Sequence, residues 1–465
     1  MAGAARTREG TTLAQRWRSL PHAQARRLAI PAIASNVAVP VVGLTDTAML
    51  GHFADAVDMG AVGLGSAVIA TIFWAFAFLR PGTTSLVGRA LGVGRADDAL
   101  RHVQRALLLA AALGAAWLAL QWLVVPVVVT LLSHGAAAGP VAATYALIRG
   151  LSLPGVLLTL ASVGYFIGRQ DTRTPLVIAG AVAGVNVAGN IVAVGVLGWG
   201  APGAAWATCV AEWLGAVVAL LLVRRAVGPQ GWASLRQWRH PALRTGWRAL
   251  ASMNSQLVVR SGLLMGAITV VASIGSRFGD DALAANAIVL QMMYLASYAL
   301  DGYATAAETM AAGAIGAGKM RDFHRASAAS SLAGAAIAVA LTLAFWWGRE
   351  PIIAVLTSID SVAQVTRATW WAAVAIPVVS GAAWLLDGIF LGTGRTRDMV
   401  WSMAVSVGVF ALLVAVPMAR GEFTNAWLWW AFLALNVVRA TTLAGRYVYL
   451  TGRRAWIGAG AVGAP

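Results

Sequence analysis

ALLLAAALGAAWLALQWLVV, residues 106–125, runs for twenty residues without a charge. A helix of that length rises about 30 Å, the thickness of the hydrocarbon core of a bilayer. The rest of the chain repeats the pattern, with apolar runs of about 20 residues separated by short polar breaks. Of its 465 residues 59% are hydrophobic and 11% charged, where soluble domains carry roughly 25% charged residues, and the mean hydropathy is +0.74. Nothing alternates at the strand period, and backbone in lipid must satisfy its hydrogen bonds within its own segment. The expected fold is therefore all-α, a polytopic membrane protein with twelve transmembrane helices. The spans read as 28–50, 60–81, 103–125, 141–168, 175–197, 202–224, 252–275, 282–313, 326–347, 368–391, 399–418 and 426–448.

Six arginines (6, 8, 16, 18, 26 and 27) precede the first apolar run. That run is span-length and lacks a cleavage site, so it reads as an uncleaved first helix. With loops assigned alternately, the inside set holds 26 of the 34 basic residues and the outside set only Arg277, Arg349, Arg367 and Arg420. The positive-inside rule then places both termini in the cytoplasm of a bacterial-type inner membrane. The net charge of +16 is spread over alternate loops rather than one soluble face, which argues against nucleic acid. The single Cys209 lies within a span and reads as a small core residue.

Residues 90–95, ALGVGR, match 314–319, AIGAGK, and GYFIG at 164–168 matches GIFLG at 388–392, both at an offset of 224. Six spans return the chain to its starting side, so the halves are parallel repeats about an axis along the membrane normal, a known layout of secondary transporters. The expected organisation is a cytoplasmic segment 1–27, a six-helix lobe 28–224, a linker 225–251 along the membrane surface, a second six-helix lobe 252–450 and a cytoplasmic tail 451–465.

Charges inside spans are costly and mark cavities or partners. Here they are Asp46, Glu212, Asp301, Glu308 and Asp387, with Arg80, Arg149, Arg260 and Arg439. Asp46 sits in span 1 downstream of Pro31 and Pro40. Proline removes a backbone bond and permits a bend, and a carboxylate in hydrocarbon is disfavoured while charged. The combination suits a protonation switch on a bendable helix. Asn186 and Asn190, at i and i+4, and Thr208 either close a polar pocket around Asp46 or serve as interhelical glue, which position alone favours. Span 8 carries Gln291, Tyr294, Tyr298, Asp301, Thr305 and Glu308 on one helix face. Together with Asn36, Met265, Met292, Met293 and Asp387 they form the expected substrate cavity; flexible thioethers suit varied ligands. For Asp387, an ion pair with Arg80 or Arg260 is an equal alternative. The six His fall in loops or at span ends, and no zinc set, nucleophile triad or P-loop is present. No metal or cofactor is expected.

GLTDTAMLGH at 43–52, YALDGY at 298–303 and LLDGIFLG at 385–392 resemble the multidrug and toxic compound extrusion family, in its DNA-damage-inducible (DinF-like) branch, along essentially the whole chain. The resemblance implies two six-helix lobes around a V-shaped cavity and export of drug-like organic compounds by exchange for H⁺, or Na⁺, through alternating access. It also implies that Asp46 is the ion-linked acid, Pro31 a bending point, and Asn186 and Thr208 partners of that acid. Many relatives carry a second Asp where this chain has Asn190, which cannot exchange a proton near neutral pH. Proton and substrate are then expected to compete for Asp46. The expected partners are a small organic molecule and the bilayer, with the protein a monomer. The rival reading within the superfamily is a flippase of lipid-linked precursors, kept open by the four intramembrane arginines. A membrane-embedded prenyl or glycosyl transferase is disfavoured, because Asp97-Asp98 and Asp280-Asp281 lie on opposite sides without further acids at helical spacing.

Overall fold

The computed structural model describes residues 20–53, 56–133, 138–237, 241–243 and 245–456. Arg6, Arg8, Arg16, Arg18, Arg239, Arg244 and the tail beyond 456 lie outside them. The described chain is helical, with no strand. In order the α-helices are α1 His22–Phe53, α2 Ala56–Ala75, α3 Leu79–Gly92, α4 Ala96–Ser133, α5 Ala138–Gly150, α6 Leu153–Gly168, α7 Arg173–Asn190, α8 Gly200–Leu235 and α9 Trp247–Gly275. They continue with α10 Asp280–Gly316, α11 Met320–Trp347, the short α12 Arg349–Leu356, α13 Asp360–Thr393, α14 Thr396–Arg420 and α15 Asn425–Gly452. Among the described residues ten segments, one of them α2 and α3 taken together, are long and apolar enough to cross a membrane; α5 with α6, bent by 43°, makes an eleventh. The 32-residue α1 completes the twelve long segments that the hydropathy pattern requires.

The breaks follow local chemistry. Pro81 and Pro154 sit in the first turns of α3 and α6, where a missing N–H costs nothing. At the end of α7 the chain passes into a π-turn over Ile191–Val196. By contrast α1 runs through Pro31 and Pro40 as one helix. The stretch expected as a linker, 225–251, begins as helix. Helix α8 kinks at Gly228 (φ 71°) before Pro229 and continues to Leu235. This piece is pinned to α4: Gln104 donates to the Leu235 carbonyl at 2.9 Å and Arg101 to that of Ser234 at 3.2 Å. Polarity marks where hydrocarbon ends, and a helix need not stop there.

Each half has its own apolar core, around Trp117, Leu157 and Val125 in the first and Phe345, Trp370 and Trp429 in the second. The repeated glycine motifs explain how the halves are built and joined. A Cβ on Gly164 would meet the Arg80 carbonyl at 2.7 Å and one on Gly168 the Thr84 carbonyl at 2.9 Å. Gly388 and Gly392 meet the carbonyls of Ala304 and Glu308 in the same way, each contact displaced by the same 224 residues. The repeat in sequence is thus a repeat in packing, with α6 against α3 and α13 against α10. Between the halves, Gly92 lies against Gly313, Gly316 and Ala317, and Gly316 against Arg89. This crossing of α3 and α10 maps onto itself under the offset, so it lies on the pseudo-two-fold axis. Ser85 Oγ donates to the Gly392 carbonyl at 3.3 Å and Thr309 to that of Ile167, closing the same end.

A side chain at this crossing has no room. Gly316→Val would place Cβ within 2.9 Å of Arg89 backbone carbon. We expect it to destabilise the detergent-solubilised protein by about 1–3 kcal/mol, the usual cost of overpacking. Gly184→Ala, where nothing lies within 4 Å, should leave the melting temperature unchanged or raise it. Parallel thermal melts check both.

Candidate functional site

Asp46 is 5% exposed, and Asn186, Asn190 and Thr208 are fully buried. Helix α1 supplies the acid, α7 the two amides one turn apart and α8 the hydroxyl. Asn190 Nδ2 donates to Asp46 Oδ1 at 2.8 Å and Asn186 Nδ2 to the same oxygen at 3.3 Å. Thr208 Oγ1 lies 3.2 Å from Oδ2, accepts from Asn186 Nδ2 at 2.8 Å and also reaches the Ala204 carbonyl at 3.0 Å. The two amides and the hydroxyl thus surround Asp46 and, by the same bonds, tie α1, α7 and α8 together. No guanidinium bonds Asp46 among the described residues.

The two amide oxygens, Asn186 Oδ1 and Asn190 Oδ1, are buried without a partner. The clamp offers N–H and O–H donors to a charged carboxylate. A protonated Asp46 needs an acceptor instead, and turning either amide end for end presents one. Asparagine suits both states of its neighbour, which a second aspartate would not.

Asp46 borders a cavity of about 640 Å³ inside the first half. Asn36, Phe73, Tyr145 and Ile178 contribute to its wall, and Thr305 enters from the second half. Arg80, Arg149 and Glu212 also line it. Sequence reasoning marked these three as intramembrane charges without assigning them to the cavity. Arg149 Nη1 bonds Glu212 Oε2 at 2.8 Å, and Ser152 donates to the same oxygen. The Arg149 guanidinium also lies 5.6 Å from the centre of the Phe73 ring. Arg80 reaches across to Glu308 of the second half at 3.8 Å.

The expected substrate set is divided by the structure. Asn36 and Thr305 reach the cavity of Asp46; Met265, Gln291, Tyr294, Tyr298, Asp301, Glu308 and Asp387 do not line it. The polar face of α10 is graded in burial, from exposed Gln291 and Tyr294 through half-buried Tyr298 and Asp301 to buried Thr305 and Glu308. Met292 and Met293 are buried in the apolar core of the second half. Adjacent positions on a helix point about 100° apart, so residues beside a polar stripe in sequence lie on another face. Met265 is half-buried on α9. Asp387 bonds both Arg260 and Arg439, so of the two partners expected for it Arg260 holds and Arg80 does not.

The family model MatE matches residues 31–192 and 259–416. The DNA damage-inducible protein F of Escherichia coli (strain K12) is 33% identical over 92% of this chain and 91% of its own length. A probable multidrug resistance protein NorM of Deinococcus radiodurans is 27% identical over 91% and 94% of the two chains. Among solved structures, the Vibrio cholerae MATE transporter VcmN in its bent form superposes with a TM-score of 0.82 at 16% identity, covering 95% of this chain and 99% of that one.

The pair of Arg149 and Glu212 can be tested as a unit. Removing one partner of a buried ion pair leaves the other uncompensated and costs about 3–5 kcal/mol. Arg149→Gln is expected to lower thermal stability by a large part of that, and Arg149→Gln with Glu212→Gln to recover most of it. A double-mutant cycle on melting temperatures reads the coupling.

Proposed function

The chain belongs to the MatE family of multidrug efflux transporters, and from that premise we propose that it is a secondary antiporter exporting drug-like organic compounds in exchange for protons. The observation that carries this reading is Asp46: a buried carboxylate on the wall of a cavity, held by neutral donors and by no guanidinium. Each arginine within the spans is already engaged. Arg80 pairs with Glu308, Arg149 with Glu212, and Arg260 and Arg439 with Asp387. The charge left uncompensated beside the cavity is that of Asp46, which suits a hydrophobic cation. Proton and cation compete for one carboxylate, so binding of one expels the other.

We take H⁺ rather than Na⁺ as the coupling ion, because a protonated Asp46 needs one acceptor, which a single turned amide supplies, whereas sodium, like other hard cations, needs a full shell of oxygens. The lipid-linked precursor reading called for free guanidinium groups to take a pyrophosphate, and Arg80 and Arg149 in the cavity have carboxylate partners instead. Alternating access would open the end now closed by Gly92 and Gly316, with α1 bending at Pro31 or Pro40. The orientation follows the basic loops, with both termini in the cytoplasm of a bacterial-type inner membrane.

Everted vesicles with separately imposed pH and sodium gradients test the proposal. Efflux of a hydrophobic cation is expected to follow the pH gradient and to fail in Asp46→Asn. Binding of the cation by wild type should weaken by up to about tenfold per unit of acidification once Asp46 protonates, and should be flat with pH in the variant. Asp46→Asn retaining gradient-driven efflux would overturn the role of this residue.

A further inference from the structure

A second cavity, about 870 Å³, lies at the closed end of the molecule and away from Asp46. Four arginines line it. Arg89 comes from α3 of the first half; Arg395, Arg397 and Arg446 come from the turn before α14, its first residues and α15 of the second. Its one acid, Asp398, is already taken: Arg446 Nε lies 3.1 Å and Arg395 Nη1 3.6 Å from its carboxylate. Arg89 and Arg397 have no acidic partner among the described residues. The Arg89 guanidinium lies on the Gly394 turn, where an added Cβ would come within 2.6 Å of it. Thr396 and Ser252 add hydroxyls to the wall.

Positive charge at this end is expected of any inner-membrane protein. Gathering four guanidinium groups from both halves around one hollow goes beyond that, because like charges at close range repel unless an anion joins them. The wall also continues onto a greasy surface: Trp401 and Val405, both lining residues, are 63% and 48% exposed on a helix that spans the membrane. A pocket with guanidinium groups at the level of the headgroups and apolar side chains running into the acyl layer matches one ligand chemistry. We propose that this cavity binds the phosphate headgroup of an anionic phospholipid, with Arg89 and Arg397 as its principal contacts and the acyl chains along Trp401 and Val405. Because Arg89 belongs to one half and the other arginines to the second, the bound lipid bridges the halves and holds this end shut. The site does not depend on what the cavity of Asp46 exports.

The test is native mass spectrometry of the full chain released from nanodiscs of phosphatidylcholine with and without cardiolipin. Wild type is expected to retain cardiolipin in preference to phosphatidylcholine. Each arginine near a headgroup is worth about 1 kcal/mol, or roughly fivefold. Arg397→Gln, an exposed position that should not disturb folding, is therefore expected to weaken retention about fivefold, and Arg89→Gln with Arg397→Gln roughly 25-fold. Arg173→Gln with Arg321→Gln, both exposed at helix starts, should retain the lipid as wild type does. Equal retention by all variants would overturn the site. Displacement of cardiolipin by inorganic phosphate at similar concentration would overturn the lipid as its occupant.

Discussion

A carboxylate inside a membrane must be neutralised by a counter-charge, by hydrogen bonds or by a proton. Three of the five intramembrane acids bond an arginine: Glu212 with Arg149, Glu308 with Arg80, and Asp387 with Arg260 and Arg439. Asp301 bonds Ser297 on its own helix, whereas Asp46, which lines the cavity without bonding an arginine, is held by neutral donors from two other helices. An acid with no fixed counter-charge is free to exchange a mobile one, and a proton or an organic cation is what the adjoining cavity can supply. The ion pairs around it have a complementary consequence. By neutralising Glu212 and Glu308 they keep the remaining charge of the cavity at a single position, so occupancy of Asp46 removes that charge.

The seam between the halves turns that local event into a global one. Glycines at 88 and 92 on α3 and at 313 and 316 on α10 allow backbone-to-backbone approach at one end, and small-residue contacts of this kind are how helices associate in lipid, where no hydrophobic drive exists. Helix α1 runs from that seam, where Ala29 and Ile33 meet Gly302, to Asp46, passing Pro31 and Pro40. A change at the acid is therefore carried on the same helix that packs against the opposite half.

Much of this was legible in the residues. Charge-free runs such as 106–125 gave the twelve segments and the glycine motifs at an offset of 224 gave the repeat, but the positions of Asn186, Asn190 and Thr208 favoured interhelical glue, and only the family resemblance named Asn186 and Thr208 as partners of Asp46. Helix ends were less legible, because α3, α4 and α8 continue past the hydrocarbon limit wherever polar residues find partners, as Gln104 does with Leu235. Pairings between distant spans were not legible either. Nothing local ties Arg149 to Glu212 across 63 residues, and only packing decides that Asp387 pairs with Arg260 and not with Arg80. The methionines mislead for a simple reason: Met292 and Met293 neighbour a polar stripe in sequence, but helical geometry turns them into the core.

The exchange at Asp46 is open to direct measurement as proton release. Purified protein in weakly buffered detergent solution, mixed with a saturating monovalent organic cation, should acidify the medium by up to one proton per cation bound, reported by a pH indicator. Asp46→Asn should bind with no release. Cation binding by wild type at every pH without release, or equal release by the variant, would contradict the account.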